Sequence, residues 1–392
     1  GLLESGAEVI DIGLGPSPML YYAANHLKSD GAIMVTGSHN PSNHNGFKIM
    51  KGTVPFFGDD ISDIGLRGLK SDWSYSLGSS QNYYIEDEYI KTLLESTKIN
   101  NLKKNIKVVW DPGNGAAGDI IKKLVRSLPG EHILINEDID GSFPAHHPDP
   151  TDPKNLEELI SIVKNNNFDV GVAFDGDGDR LGLVSGKGNI IWGDQIVALL
   201  SQEVLKDHPN SPIIADVKAS QTLFNEIKRL GGIPVMWKTG HSFIKSKMKE
   251  ISSPLAGEMS GHIFFSDRYY GYDDGIYAAL RVLELICDNY SLDDFLNSLP
   301  KTFSTQEIKI NCPDEVKFSI IKDLSLLLDK AGLIVNKIDG LRVQKDSGWW
   351  LLRASNTQAV LVARIEADSQ DSLNKLQEEL SYYLKKFDLS LK

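Results

Sequence analysis

Short apolar strands that alternate with amphipathic helices are the feature that most limits what this chain can fold into. Residues 8–11 and 32–35 read as strands on either side of a helix over 19–27, which predicts a βαβ unit. The alternation returns with a strand at 106–110 and a helix through residue 125, then with a helix at 156–165 and a strand at 169–174. It returns again at 213–217, 220–230 and 234–237. Strands and helices of these lengths predict parallel or mixed sheets covered on both faces. The element order is similar in the three stretches, but no residue-level repeat proves that they are copies. From about Phe303 the pattern changes to a strand, a helix over 316–330, a hairpin over 341–353, a strand at 360–367 and a final helix, an α+β tail.

A chain of 392 residues exceeds what one hydrophobic core organises, so several domains are expected. The formal net charge of -12, with no Lys/Arg-rich block, excludes sequence-independent nucleic-acid binding. Any anionic substrate must therefore meet locally clustered cations. No apolar run approaches a membrane span, and the two cysteines, Cys287 and Cys312, lack metal or redox spacing. A reducing cytoplasm is the expected location.

The run Asp175-Gly176-Asp177-Gly178-Asp179-Arg180 follows the apolar strand directly. Three carboxylates so close repel one another unless a cation sits among them, and an all-oxygen set suits a hard ion such as Mg²⁺. A calcium loop of the EF-hand type would need Gly where Arg180 stands and Glu where Gly186 stands, which rejects that reading. An acidic surface turn, or a phosphatase with an aspartate nucleophile, stays compatible with this run but leaves the next one unexplained.

Thr36-Gly37-Ser38-His39-Asn40-Pro41 leaves the second strand. A serine needs a base, a metal or a cradle of donors to carry phosphate, and alone the hexapeptide reads equally as an ordinary turn. Lys48, ten residues on, could supply positive charge, or be a solvated lysine on a strand. Gly257-Glu258-Met259-Ser260-Gly261-His262 offers an acceptor, a hydroxyl and an imidazole suited to sugar hydroxyls, and is otherwise a polar turn. Lys218 and His241 stand at strand-to-helix junctions, where α/β ligands bind. Arg353-Ala354-Ser355-Asn356-Thr357 could cradle phosphate through a bidentate guanidinium, although Ser-Asn-Thr is also common turn chemistry.

Together and in this order, the runs T-G-S-H-N-P, D-G-D-G-D-R, G-E-M-S-G-H and R-A-S-N-T resemble the α-D-phosphohexomutases, most closely the bacterial phosphomannomutase/phosphoglucomutase group. The resemblance runs from near Gly1 to the last helix. It implies three related α/β mixed-sheet domains (1–82, 83–187 and 188–299) and a C-terminal α+β domain (300–392) around a central cleft. It makes Ser38 the phosphate carrier and a metal contact, with Asp175, Asp177 and Asp179 holding Mg²⁺. His39, Lys48, Arg180 and His262 become catalytic or charge-stabilising. Lys218, His241, Glu258, Ser260, Arg353, Ser355, Asn356 and Thr357 become substrate-binding.

The implied activity is reversible phosphoryl transfer between C1 and C6 of mannose and glucose phosphates, with glucose 1,6-bisphosphate as activator and intermediate. A monomer that engages neither nucleic acid nor membrane is the matching expectation. Met259 stands where phosphoglucosamine mutases usually have Gln, which disfavours that alternative. The family's first strand and an arginine-bearing loop precede anything here, so the amino end is expected to be incomplete. A silent sugar-phosphate-binding homologue is the reading of a different class.

Overall fold

Five consecutive buried residues, Val170 to Phe174, form the strand on which the second domain is built, and an uninterrupted apolar run is what a strand covered on both faces requires. The computed structural model describes residues 1–41, 43–99, 105–355 and 358–391. These form two compact units. One comprises Gly1–Ala215, Asn225–Val235 and Gly240–Leu296, and the other Asp216–Phe224, Met236–Thr239 and Asn297–Lys392.

The first unit begins with β1 (Glu8–Asp11), α1 (Ser17–His26), β2 (Gly31–Val35), β3 (Phe47–Lys51), β4 (Val54–Phe56), α2 (Asp59–Leu69), β5 (Ser79–Asn82) and α3 (Glu86–Glu95). Here the structure corrects the sequence reading, because β1 and β2 do not share a βαβ sheet. β1 runs parallel to β5, whereas β2 pairs antiparallel with β3, and β3 with β4. The loop after β2 folds the chain straight back, and hairpin partners so near in sequence cost little closure entropy. The register sets Lys48 opposite Met34, on the strand that returns from the Ser38 loop.

Next come β6 (Lys107–Asp111), α4 (Gly118–Leu124), β7 (Glu131–Leu134), α5 (Glu157–Asn165), β8 (Val170–Phe174), β9 (Leu181–Ser185) and β10 (Ile190–Ile191), a mixed sheet in the order β10-β9-β8-β6-β7. Leu159 and Val163 of α5 pack on Val109, Ala173 and Val184 of that sheet. A third sheet, in the order β12-β11-β13-β14, comes from β11 (Pro212–Asp216), β12 (Ile233–Trp237), β13 (Leu255–Gly257) and β14 (Ile263–Phe265). Its helices are α6 (Gly193–Asp207), α7 (Gln221–Arg229), α8 (His241–Ile251), α9 (Gly275–Cys287) and α10 (Leu292–Ser298). No helix among the described residues is long and apolar enough to cross a membrane.

The second unit holds β15 (Phe303–Ser304), β16 (Ile308–Asn311), α11 (Asp314–Lys330), β17 (Val335–Asn336), β18 (Leu341–Lys345), β19 (Gly348–Ala354), β20 (Val360–Ala367) and α12 (Gln370–Leu384). β18, β19 and β20 are successive antiparallel neighbours, which agrees with the hairpin read from the sequence. Leu324, Leu328, Leu376 and Leu380 of its helices cover Val343, Trp350 and Ile365. Arg342 explains why the Asp216–Phe224 segment belongs to this unit. Its guanidinium lies 3.7 Å from the centre of the Trp349 ring and donates to the Val217 and Ala219 carbonyls at 2.7 and 2.8 Å.

Asp274 caps α9 by accepting from the Tyr277 amide at 2.9 Å, and it also accepts the Tyr89 and Tyr269 hydroxyls at 2.9 Å each. Burial outweighs these donors and pushes its carboxyl up from 3.8 to about 6. A raised carboxyl favours the fold in its protonated form, so that contribution is present below the unfolded value and is lost as pH rises through about 6. Asp274→Asn cannot ionise and should gain about 2 kcal/mol relative to the unaltered chain between pH 4 and pH 7. Denaturant unfolding at both pH values measures the difference, and a constant gap would refute the assignment.

Candidate active site

The metal-loop carboxylates emerge at the end of β8, as the sequence places them, and all three are buried. Each offers an oxygen within 4.8 Å of the other two. Ser38 Oγ donates to Asp175 Oδ2 at 2.9 Å and lies 3.1 Å from His39 Nδ1. The Ser38 loop reaches the carboxylates because Gly176 lacks a side chain, since a Cβ there would collide with the Ser38 carbonyl oxygen. Ser38 itself takes a left-handed backbone (φ 49°), a strained state for a non-glycine residue and a common one at functional sites.

Lys48 crosses from β3 to the same carboxylates. Its ammonium pairs with Asp177 Oδ2 at 2.6 Å and with Asp179 Oδ2. Asp177 Oδ2 also accepts from Ser17 Oγ at 2.5 Å and Thr36 Oγ1 at 3.2 Å, two partners the sequence reading missed. The second oxygens of Asp177 and Asp179 are buried with no hydrogen-bond partner. Buried acceptors without donors are costly, so the oxygen set fits a hard divalent cation.

The charges follow from this crowding. Burial first, then the neighbouring Asp177 and Asp179, push Asp175 well above the usual carboxylate range. Burial also works to raise Asp177, but the Lys48 ammonium and the Lys48 and Ser17 hydrogen bonds hold it below that range. Burial opposes the charge on Lys48, and Asp177 and Asp179 override it, so the lysine is firmly protonated. Burial and the Arg180 charge push His39 down to about 3 and keep it neutral near pH 7.

Arg180 donates its amide to Asp175 Oδ1 at 3.1 Å and its Nε to His262 Nε2 at 3.0 Å. His262 lies in the β13–β14 hairpin with Glu258, whose carboxylate accepts from the Gly240 amide at 2.6 Å. His241 begins α8 and stacks on His262 with ring centres 5.5 Å apart. Ser260 is half-buried in the same hairpin. The structure thus brings Ser38, His39, Lys48, the three aspartates, Arg180, His241, Glu258, Ser260 and His262 into one unit.

Lys218, Arg353 and Ser355 lie in the other unit. Lys218 pairs with Glu307 at 2.6 Å, and Arg353 Nε donates to Asp339 at 3.0 Å. Burial works to raise Glu307, while Lys218, then Arg364 and Arg353, pull it below its usual value, so three cations surround one carboxylate. Ser355 Oγ accepts from the Gln358 amide at 3.2 Å. Asn356 and Thr357 lie outside the described residues.

The sequence reading also missed Asp273, Glu307 and Asp339. Asp273 precedes the helix-capping Asp274, and two adjacent carboxylates at a helix start do not reveal which one turns inward.

Models for all four parts of one family match the chain. Phosphoglucomutase/phosphomannomutase alpha/beta/alpha domain I matches residues 1–64, domain II 87–188, domain III 192–303, and the C-terminal domain 307–381. The phosphomannomutase/phosphoglucomutase of Pseudomonas putida is 46% identical over 379 residues, 96% of this chain and 81% of that protein. A phosphoglucomutase of Neisseria meningitidis is 41% identical over 97% of this chain and 83% of its own length. The crystal structure of a family member from Burkholderia thailandensis superposes with a TM-score of 0.91 at 40% identity, covering 98% of this chain and 84% of that one. The chain belongs to the phosphoglucomutase/phosphomannomutase family, whose members are isomerases.

Since Lys48 offsets the charge of Asp177 and Asp179, its removal should make the fold depend more on an added divalent cation. Lys48→Met is expected to cost about 3–5 kcal/mol in chelator and to show a larger rise in melting temperature with Mg²⁺ than the unaltered chain. Equal rises in the two proteins would show that the ammonium and the ion do not share a task.

Proposed function

We propose that this chain interconverts the 1- and 6-phosphates of mannose and glucose through a phosphorylated Ser38. The observation that carries the reading is the hydrogen bond from Ser38 Oγ to Asp175, beside two carboxylate oxygens that lack partners. The names of the relatives at 41–46% identity agree with it.

Ser38 Oγ, Asp175, Asp177 and Asp179 would hold Mg²⁺, which when bound offsets charge on the transferring phosphoryl oxygens. The P–O bond to Ser38 breaks as one forms to the free sugar hydroxyl. That hydroxyl releases its proton as the departing Ser38 oxygen takes one up, and the return transfer reverses both, Ser38 losing its proton as it regains a phosphoryl group and the released sugar oxygen taking one. Lys48 and Arg180, both charged, face the developing negative charge. His39 stays neutral and acts as a hydrogen-bond partner of Ser38, not as a charge on the phosphate.

Glu258 and Ser260 hold sugar hydroxyls, assisted by His241 and His262. Lys218, Arg353 and Ser355, with Asn356 and Thr357, bind the phosphate that is not being transferred. The sugar 1,6-bisphosphate turns around and returns its other phosphate to Ser38, so glucose 1,6-bisphosphate activates the unphosphorylated protein. These roles divide among domains at 1–82, 83–187, 188–299 and 300–392.

Incubation with glucose 1,6-bisphosphate should add one phosphoryl group by intact mass, and Ser38→Ala should abolish that addition. The same variant should lose at least about a thousandfold in turnover while binding glucose 1-phosphate within a few-fold of the unaltered chain. Turnover that survives the substitution removes Ser38 from the mechanism. Mannose 1-phosphate and glucose 1-phosphate should both outpace glucosamine 1-phosphate in steady-state assays, and the reverse order overturns the sugar assignment.

A further inference from the structure

Asp273 is wholly buried, yet three cation-capable side chains converge on it. Lys245 of α8 donates to Oδ1 at 2.8 Å, and its ammonium also lies 4.3 Å from the centre of the Tyr21 ring. The other oxygen, Oδ2, lies 3.1 Å from His262 Nδ1 and 3.3 Å from His241 Nδ1. All three atoms lack a partner at hydrogen-bond angle, so these distances bring the groups together without a closed hydrogen bond.

Donor bookkeeping fixes the proton. Arg180 Nε can only donate, so His262 Nε2, 3.0 Å away, must be the bare nitrogen, and the ring proton sits on Nδ1. The acceptors within reach of that proton are Asp273 Oδ2 and, at 3.4 Å, Asp179 Oδ1. A metal on His262 Nδ1 would need the same lone pair and is excluded by this count. His241 meets the same oxygen. Burial and the Lys245 charge hold it neutral, so its own proton belongs on Nδ1 as well.

We infer that Asp273 is a positioning residue that locks His241 and His262 as Nδ1–H tautomers, with the Nε2 of His262 orienting Arg180 and the Nε2 of His241 left as an acceptor for substrate. A carboxylate behind an imidazole commonly fixes its tautomer and ring plane, and here one carboxylate serves two rings. The inference rests on the proposed mutase activity only for its kinetic readout.

Two measurements on the full chain test it. With ¹⁵N-histidine labelling, and His241→Asn and His262→Asn used to assign signals, both rings should show a protonated Nδ1 and a bare Nε2. A protonated Nε2 on His262 overturns the proposal whether or not the chain turns over any sugar phosphate. Asp273→Asn keeps the shape and removes the charge. It should lose the Nδ1–H signature on His241, while His262, still facing the Arg180 donor, keeps its own, and it should lower kcat by about ten- to hundredfold with KM within about threefold. An unchanged His241 tautomer with unchanged kcat overturns it. Absence of turnover in the unaltered chain defeats the mutase reading alone and leaves the tautomer measurement to decide.

Discussion

Three carboxylates buried within 4.8 Å of one another cannot all stay charged without a cation, and that constraint organises the first unit. Lys48 answers it from β3, Arg180 from the loop itself, and Ser17 and Thr36 donate hydrogen bonds. Each comes from a different segment, so satisfying the cluster pulls the β2–β3 hairpin, the start of α1 and the end of β8 onto one point. The strained Ser38 backbone and the bare Gly176 are consequences of that convergence. Two oxygens remain without donors, and a site that leaves acceptors bare is prepared for an ion rather than for stability.

The same logic runs outward through Arg180. Its guanidinium links the metal loop to His262, and Asp273 links His262 to His241 and Lys245. Charged and polar groups in close approach therefore run from Ser38 to the β13–β14 hairpin, wholly within one unit. The second unit solves a smaller problem of the same kind, with Glu307 among Lys218, Arg353 and Arg364. There Lys218 pairs with Glu307 and Arg353 with Asp339, so each of these two cations is held by a carboxylate of its own.

Legibility differed by residue. The D-G-D-G-D-R run announced itself because three acids separated by glycines have few other uses, and its place after β8 followed from an apolar run of strand length. Ser38 was ambiguous as a turn serine and became distinctive only beside the other runs. Lys48 could not be told from a surface lysine, since nothing local says that the hairpin register turns it toward Asp177. Asp273 was invisible next to Asp274, because the cap and the inward carboxylate share one local pattern. The βαβ reading of β1 and β2 failed since strand pairing is non-local: periodicity marks a strand but not its neighbour.

By itself, the sequence determined the α/β character of the chain, the α+β tail, the loops that carry chemistry and the family to which they belong, all of which reside in residue type and short-range spacing. Only the tertiary structure decided which charges meet. The pairings of Lys48 with Asp177, Arg180 with His262, and Asp273 with two histidines join residues up to 129 positions apart. Contacts at that separation are set by sheet register and domain packing, for which no local pattern in the chain is sufficient.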